Sequence, residues 1–135
     1  MKKTYPIVVR NTGEKLLLVE IPDFDRMTQG ENLTNAIDMG ADLIALLGIE
    51  LQDRKKELPK ASELESLRRK FPDDIVTLVN VDFDAYRRAT DSRAVRKNVT
   101  IPSWLNSQAE AADINFSSVL QEGLKRELGI NSGRN

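Results

Sequence analysis

Cysteine and histidine are both absent from this chain of 135 residues. Their absence removes thiol nucleophiles, disulfides, imidazole bases and the zinc sites built from these ligands. Long apolar runs are missing too. No segment approaches the roughly 20 apolar residues that span a bilayer. Met1-Lys2-Lys3 is basic, but Thr4-Tyr5-Pro6 follows, and Ile7-Val8-Val9 is too short for the core of a signal peptide. The expectation is a cytoplasmic chain without a membrane partner. With 40% apolar and 30% charged residues, it has the composition of one domain or two small ones with a modest core.

The net charge of −1 conceals an asymmetry. Residues 1–84 carry 12 Lys and Arg against 16 Asp and Glu, a balance of −4, whereas residues 85–135 carry 8 against 5, a balance of +3. Arg87, Arg88, Arg93, Arg96 and Lys97 are opposed locally only by Asp91. Such a cluster favours a polyanionic partner, although a solvated surface has the same composition.

Hydrophobic periodicity organises the first part. Tyr5, Ile7 and Val9 alternate with Pro6, Val8 and Arg10, predicting a strand over Thr4–Arg10. Asn11-Thr12-Gly13-Glu14 supplies a turn and Leu16–Ile21 a second strand, making a hairpin. Pro22–Gly30 is expected as loop, with room for a short third strand around Met27–Gln29. Asn32 is placed as the N-cap of a helix reaching about Leu51, with Leu33, Ala36, Ile37, Gly40, Ile44 and Leu47 on its apolar face. Gln52–Pro59 is expected as loop. Ser62 should cap a short helix to Lys70 with Leu64 and Leu67 inward, and Ile75–Phe83 is the strongest strand. Asp84–Arg88 has room for one helical turn. Ala89-Thr90-Asp91-Ser92 suits a linker.

The remainder raises a pairing problem. Val99 and Ile101 alternate with Asn98 and Thr100, the period of a half-buried strand, and Pro102 ends it. Two helices follow, about Pro102–Ala112 and from the N-cap Asn115 to a stop at Gly129. One strand and two helices enclose too little to form a core. Two copies resolve this, with their strands antiparallel across a twofold axis above a dimer core of Val99, Ile101, Leu105, Phe116, Leu120 and Leu124. The alternative is an edge strand completing the N-terminal sheet.

The order strand–Pro–helix–turn–helix, with VTIP entering the first helix and INFS the second, resembles the ribbon-helix-helix DNA-binding domain over Arg96–Gly129. In that family the two-stranded ribbon lies in the major groove, which is wide enough to admit it. Parity then assigns base contacts to Arg96, Asn98 and Thr100. The resemblance implies phosphate contacts at Asn115, Phe116 and Ser117, where a helix N-terminus presents unpaired N–H donors, and Lys97 is added as a further phosphate contact.

The whole chain resembles the HicB family of antitoxins, through YPIVV at Tyr5–Val9, IPDF at Ile21–Phe24, TQGENLTNAI at Thr28–Ile37, VNVDFDAYRR at Val79–Arg88 and VRKNVTIPSWLN at Val95–Asn106. The resemblance implies an α+β chain: a partial ribonuclease H-like ββ(β)αβ domain over 1–88, a linker over 89–94, a ribbon-helix-helix (βαα) domain over 95–130 and a frayed tail over 131–135. It further implies a type II toxin–antitoxin system. The N-terminal domain would bind a small basic HicA-type toxin that cleaves mRNA, and the C-terminal homodimer would bind operator DNA and repress the operon. Docking of N-terminal domains would extend the dimer to a tetramer. The family commonly carries Leu-Pro-Gly-Cys where this chain has Phe24-Asp25-Arg26-Met27, so the segment Asp23, Phe24, Asp25, Arg26, Met27 and Thr28 is only a candidate toxin contact.

Ribonuclease H chemistry would need several carboxylates converging on two Mg²⁺ ions. The candidates are Asp23, Asp38, Asp42, Asp82 and Asp84, but an i, i+4 Asp pair on a helix and acids at a strand end are ordinary surface features. No catalytic residue, metal or cofactor is expected. An alternative keeps the DNA-binding repressor and makes the first domain a sensor of a small ligand.

Overall fold

The structure, a computed structural model, describes residues 1–91 and 93–130. The chain divides into two units, Met1–Arg93 and the residues from Ala94 on. Ser92, in the expected linker, and the expected frayed tail 131–135 lie outside the described residues. The fold is α+β.

Four strands build the first unit: β1 (Lys2–Asn11), β2 (Leu17–Ile21), β3 (Arg26–Gly30) and β4 (Ile75–Asp82). They form one antiparallel sheet in the order β3-β2-β1-β4. The β1–β2 turn uses Gly13 at φ 83°, and the Gly13 amide donates to Asn11 Oδ1 at 3.0 Å. That positive φ is where a glycine is needed. Pro6 sits inside an interior strand without breaking it. The β2 ladder covers only Val8–Asn11 of β1, so Pro6 falls where β4 alone is paired. That stretch of β1 is an edge on its β2 side, where a proline is tolerated.

Helices cover both faces of the sheet. On one lies α1 (Leu33–Asp53), over Tyr5, Ile7, Val9, Val19, Ile21, Val79 and Val81. On the other, α2 (Leu64–Lys70) sets Leu67 against Val8 and Val76, flanked by Leu64 and Phe71. This explains why Tyr5 to Val9 are buried without alternation. Asn32 caps α1 as expected, its Oδ1 accepting from the Asn35 amide at 2.9 Å. The buried stripe is Ala36, Gly40, Ile44, Ala45 and Gly48, and Leu33 of the expected face is 43% exposed. The small residues Ala36, Gly40, Ala45 and Gly48 on this face let α1 lie close to the sheet. A Cβ on Gly40 would stand 3.2 Å from Ile7 and 3.3 Å from Val19.

Three local expectations are corrected. Ser62 does not cap α2. Glu63 occupies that position without a side-chain bond, and Ser62 donates its amide and hydroxyl to Asp23 instead. Together with the Tyr5 hydroxyl donating to the Pro59 carbonyl at 2.7 Å, this pins the segment that carries the chain from α1 to α2. The loop expected over Pro22–Gly30 gives way at residues 26–30 to an edge strand, the short third strand allowed for around Met27–Gln29 and longer by one residue at each end. Finally, Phe83 leaves the strand and opens α3 (Phe83–Thr90), which takes in Ala89 and Thr90. Its cap is Asp82, whose Oδ1 accepts from the Ala85 amide at 3.0 Å and whose pKa is lowered first by that bond. The Asp82 cap therefore contributes fully above the ordinary carboxylate range and is lost as pH falls through its depressed folded value.

In the second unit, α4 (Ser103–Ala111) starts after Pro102 and α5 (Phe116–Glu127) after Asn115. Asn115 Oδ1 accepts from the Ser118 amide at 3.0 Å. Gly129 ends α5 at φ 72°, with its amide on Arg126 and that of Ile130 on Lys125. This paired closure is the Schellman arrangement.

Candidate nucleic-acid interface

The second unit hides nothing of its own. Among its described residues none is buried, and Val99 (67%), Phe116 (44%), Val119 (59%) and Leu124 (53%) stand open to solvent. These residues are nevertheless ordered into one feature. Lys97, Val99, Ile101, Leu105, Ala109, Ile114, Phe116, Ser117, Val119 and Leu120 line an open, mainly apolar groove of about 420 Å³.

The segment before α4 belongs to no ladder. All four strands of the sheet come from residues 2–82, and residues 93–102 carry neither helix nor strand within the single chain. An edge strand completing the N-terminal sheet is therefore not what these residues form. Parity along the segment is clear. Lys97, Val99 and Ile101 line the groove, while Arg96, Asn98 and Thr100 are exposed and outside its lining.

Of the six expected core residues, Val99, Ile101, Leu105, Phe116 and Leu120 meet at the groove, and Leu124 does not line it. Ile114 was missed. It precedes the cap Asn115, with Val119 five positions on, and both line the groove. An apolar residue before the cap paired with one at the fourth helical position is the hydrophobic staple, a signal present in the sequence. At the start of α5, the Asn115 carboxamide already satisfies the Ser118 amide. The amides of Phe116 and Ser117 have no helical partner of their own, as at any helix N-terminus.

In the first unit, the candidate segment 23–28 splits by role. Asp23 holds Ser62, and Phe24 packs edge-on against Tyr5 with ring centroids 5.1 Å apart. Burial, and then Asp23, push the Tyr5 phenol above its ordinary pKa. Asp25 turns the chain at φ 52°, a left-handed conformation that Asp tolerates better than most side chains, and Asp25, Arg26 and Met27 are exposed. The carboxylates weighed for metal chemistry are dispersed. Asp23 and Asp82 are engaged as described, Asp84 pairs with the Met1 α-amino group, and Asp38 and Asp42 face solvent on α1. Among the described residues, no group of three His, Cys, Asp or Glu is placed to hold a metal ion. No described helix is long and apolar enough to cross a membrane.

Comparison with known proteins bears on this geometry. A family model described as the HicB-like antitoxin of bacterial toxin–antitoxin systems matches residues 5–122. The chain is similar to one in a toxin–antitoxin complex from Streptococcus pneumoniae, at 26% identity and a TM-score of 0.59, covering 94% of this chain and 99% of that one. It is also similar in fold to the crystal structure of the Burkholderia pseudomallei antitoxin HicB, at 22% identity and a TM-score of 0.54, covering 97% and 98%. No curated protein matches it.

Proposed function

The chain belongs to the HicB-like antitoxin family, so it is an antitoxin of a bacterial toxin–antitoxin system and not an enzyme; from that premise we propose how its two units divide the work. The first unit, a partial ribonuclease H-like domain, neutralises a HicA-type mRNA-cleaving toxin by direct binding. The second, a ribbon-helix-helix dimer, binds operator DNA and represses the operon.

The observation that carries the DNA reading is the groove. Ten residues line it, largely apolar, in a unit that buries nothing alone. A second copy closes it, letting the two 96–101 segments pair as an antiparallel ribbon whose backbone groups then bond each other. Because Val99 and Ile101 turn to the groove, Arg96, Asn98 and Thr100 turn away from it, onto the face that meets the bases. Arg bonds guanine, Asn bonds adenine, and Thr meets a base edge or the thymine methyl. Lys97 packs its stem in the groove and extends its ammonium to a phosphate, as a long cationic side chain can. The amides of Asn115, Phe116 and Ser117 take a second phosphate. A Cβ on Gly123 would meet nothing within 4 Å in one chain. A mid-helix glycine costs about 1 kcal/mol against alanine, and the close approach that justifies it is placed in the partner.

For the toxin, the exposed side of the 23–28 segment, Asp25, Arg26 and Met27, is the proposed contact, with Asp23 and Phe24 fixing its shape and Thr28 joining β3. The acidic balance of residues 1–84 would attract a basic RNA-binding protein.

Growth after induction of the neighbouring toxin frame, with and without this chain, tests the neutralisation. Arrest with the toxin alone and growth with both is the expected result; arrest in both cultures refutes it. The repressor role has its own test. Asn98→Ala should lose about 1–3 kcal/mol of operator affinity while keeping toxin binding. Unchanged discrimination between operator and random DNA would show that the groove-facing parity is wrong.

A further inference from the structure

The longest helix of the first unit, α1, carries large apolar side chains away from the sheet as well as towards it. Its sheet side is lined mostly by small residues, and Ile44 is the one large side chain among its five buried residues. Met39, Asp42, Leu46 and Glu50, spaced three, four and four residues apart, form a stripe on the outer side, and all four are exposed. Leu43 and Leu47, half-buried, border that stripe. A helix with a single partner is expected to turn polar residues outward. One exposed leucine alone would be ordinary, but Met39 at 37% and Leu46 at 46% stand two turns apart on the same stripe. That is the spacing at which a helix anchors itself in a partner's groove.

Two further observations say what kind of partner fits. The 21 residues of α1 include four carboxylates and no lysine or arginine. Asp53 pairs with Arg87, whereas Asp38, Asp42 and Glu50 are exposed and, among the described residues, have no salt-bridge partner. The stripe is also continuous with the segment already proposed for toxin contact. An open depression of about 150 Å³ is lined by Phe24 and Arg26 on one side and by Leu47, Glu50, Leu51 and Arg54 on the other.

We infer that the outer face of α1 is the main docking surface for the toxin, with Met39 and Leu46 as apolar anchors and Asp38, Asp42 and Glu50 as a rim that meets its cationic side chains. This rests on the proposed neutralisation of a basic RNA-cleaving protein, and it says where that protein sits beyond the 25–27 segment. A second copy of α1 is a poor occupant, because its own carboxylates would face these. The two kinds of residue act differently. The anchors lose their water on docking, so they hold the complex together and set the rate at which it parts. The carboxylates stay at the wet edge, steer a basic partner and set how fast it arrives.

The test uses the full chain and the purified toxin from the neighbouring frame. Met39→Gln with Leu46→Gln keeps good helix formers at exposed positions, so thermal unfolding and operator binding should not change. Toxin affinity should fall at least about thirtyfold, mostly through faster dissociation. Asp42→Asn with Glu50→Gln should instead slow association and flatten its dependence on salt, with dissociation nearly unchanged. Full toxin affinity in the Met39→Gln, Leu46→Gln protein, with wild-type melting, overturns the inference and leaves neutralisation to another face. A lower mass for that variant in light scattering, with toxin affinity kept, also overturns it and gives the face to a second copy. Should that variant melt early, the carboxylate pair decides: an unchanged association rate overturns the inference. If the wild-type chain itself does not bind the toxin, the proposed neutralisation falls, and this inference with it.

Discussion

Phe116→Asp is expected to abolish both dimerisation of the second unit and operator binding while leaving α5 helical. The separation of these effects comes from where Phe116 stands. It is the first residue of α5, where an acidic side chain is favoured by the helix dipole, and in one chain its ring is 44% exposed. Nothing within a single copy penalises the change. In the proposed dimer the same position faces the closed groove, and an unpaired carboxylate there would cost on the order of 3–5 kcal/mol, more than a hundredfold in the dimer constant. Light scattering and operator titration read the loss, and far-ultraviolet circular dichroism reads the retained helix. A dimeric, operator-binding Phe116→Asp protein would mean that α5 presents a different face to its partner.

The second large effect lies in the first unit. Gly48→Ala would place a Cβ 2.2 Å from Phe83 Cε1 and 2.8 Å from Cδ1. Phe83 is fully buried and is held at the junction of β4 with α3, so its ring has nowhere to retreat. Overpacking of this kind costs about 1–3 kcal/mol, and the closeness of the contact argues for the upper end. For a unit of this size a 2 kcal/mol loss lowers the melting temperature by roughly 10 °C. Thermal unfolding with toxin binding measured below the transition would show destabilisation without loss of the binding surface. An unchanged melting temperature would mean that α1 slides on the sheet more freely than its small-residue stripe implies.

These two sites mark what sequence alone discloses and what it does not. Local chemistry was legible: Asn32 and Asn115 cap the helices they were assigned, and Gly129 stops α5 with positive φ. Alternation found β1, and continuous aliphatic runs found β2 and β4, while the groove residues Val99, Ile101, Leu105, Phe116 and Leu120 followed from helical and strand periods. What failed was set by distant partners. Ser62 looks like a cap until Asp23, 39 residues earlier, claims its amide and hydroxyl. Leu33 fits the apolar period of α1, yet the helix lies down on its glycines and alanines, because close approach to the sheet outweighs the burial of one leucine. The third strand was visible only as a possibility, since Arg26–Gly30 has little β-propensity and is held by its ladder to β2.

The absence of any buried side chain among the described residues of the second unit has a thermodynamic consequence. The proposed core of two copies would exist only by mass action, so its apparent stability would rise by about 1.4 kcal/mol per dimer for each tenfold rise in chain concentration. The first unit, with its own two-sided core, has no such dependence. A cell that stops making the chain would therefore lose the second unit first. Dilution would separate the pairs, expose their apolar helices and hand them to proteases while the first unit is still folded. On the proposed division of work, the operon would be released before the toxin is. In that order, the proposed repression would gauge the supply of antitoxin, and renewed synthesis would begin while the remaining copies still hold the toxin.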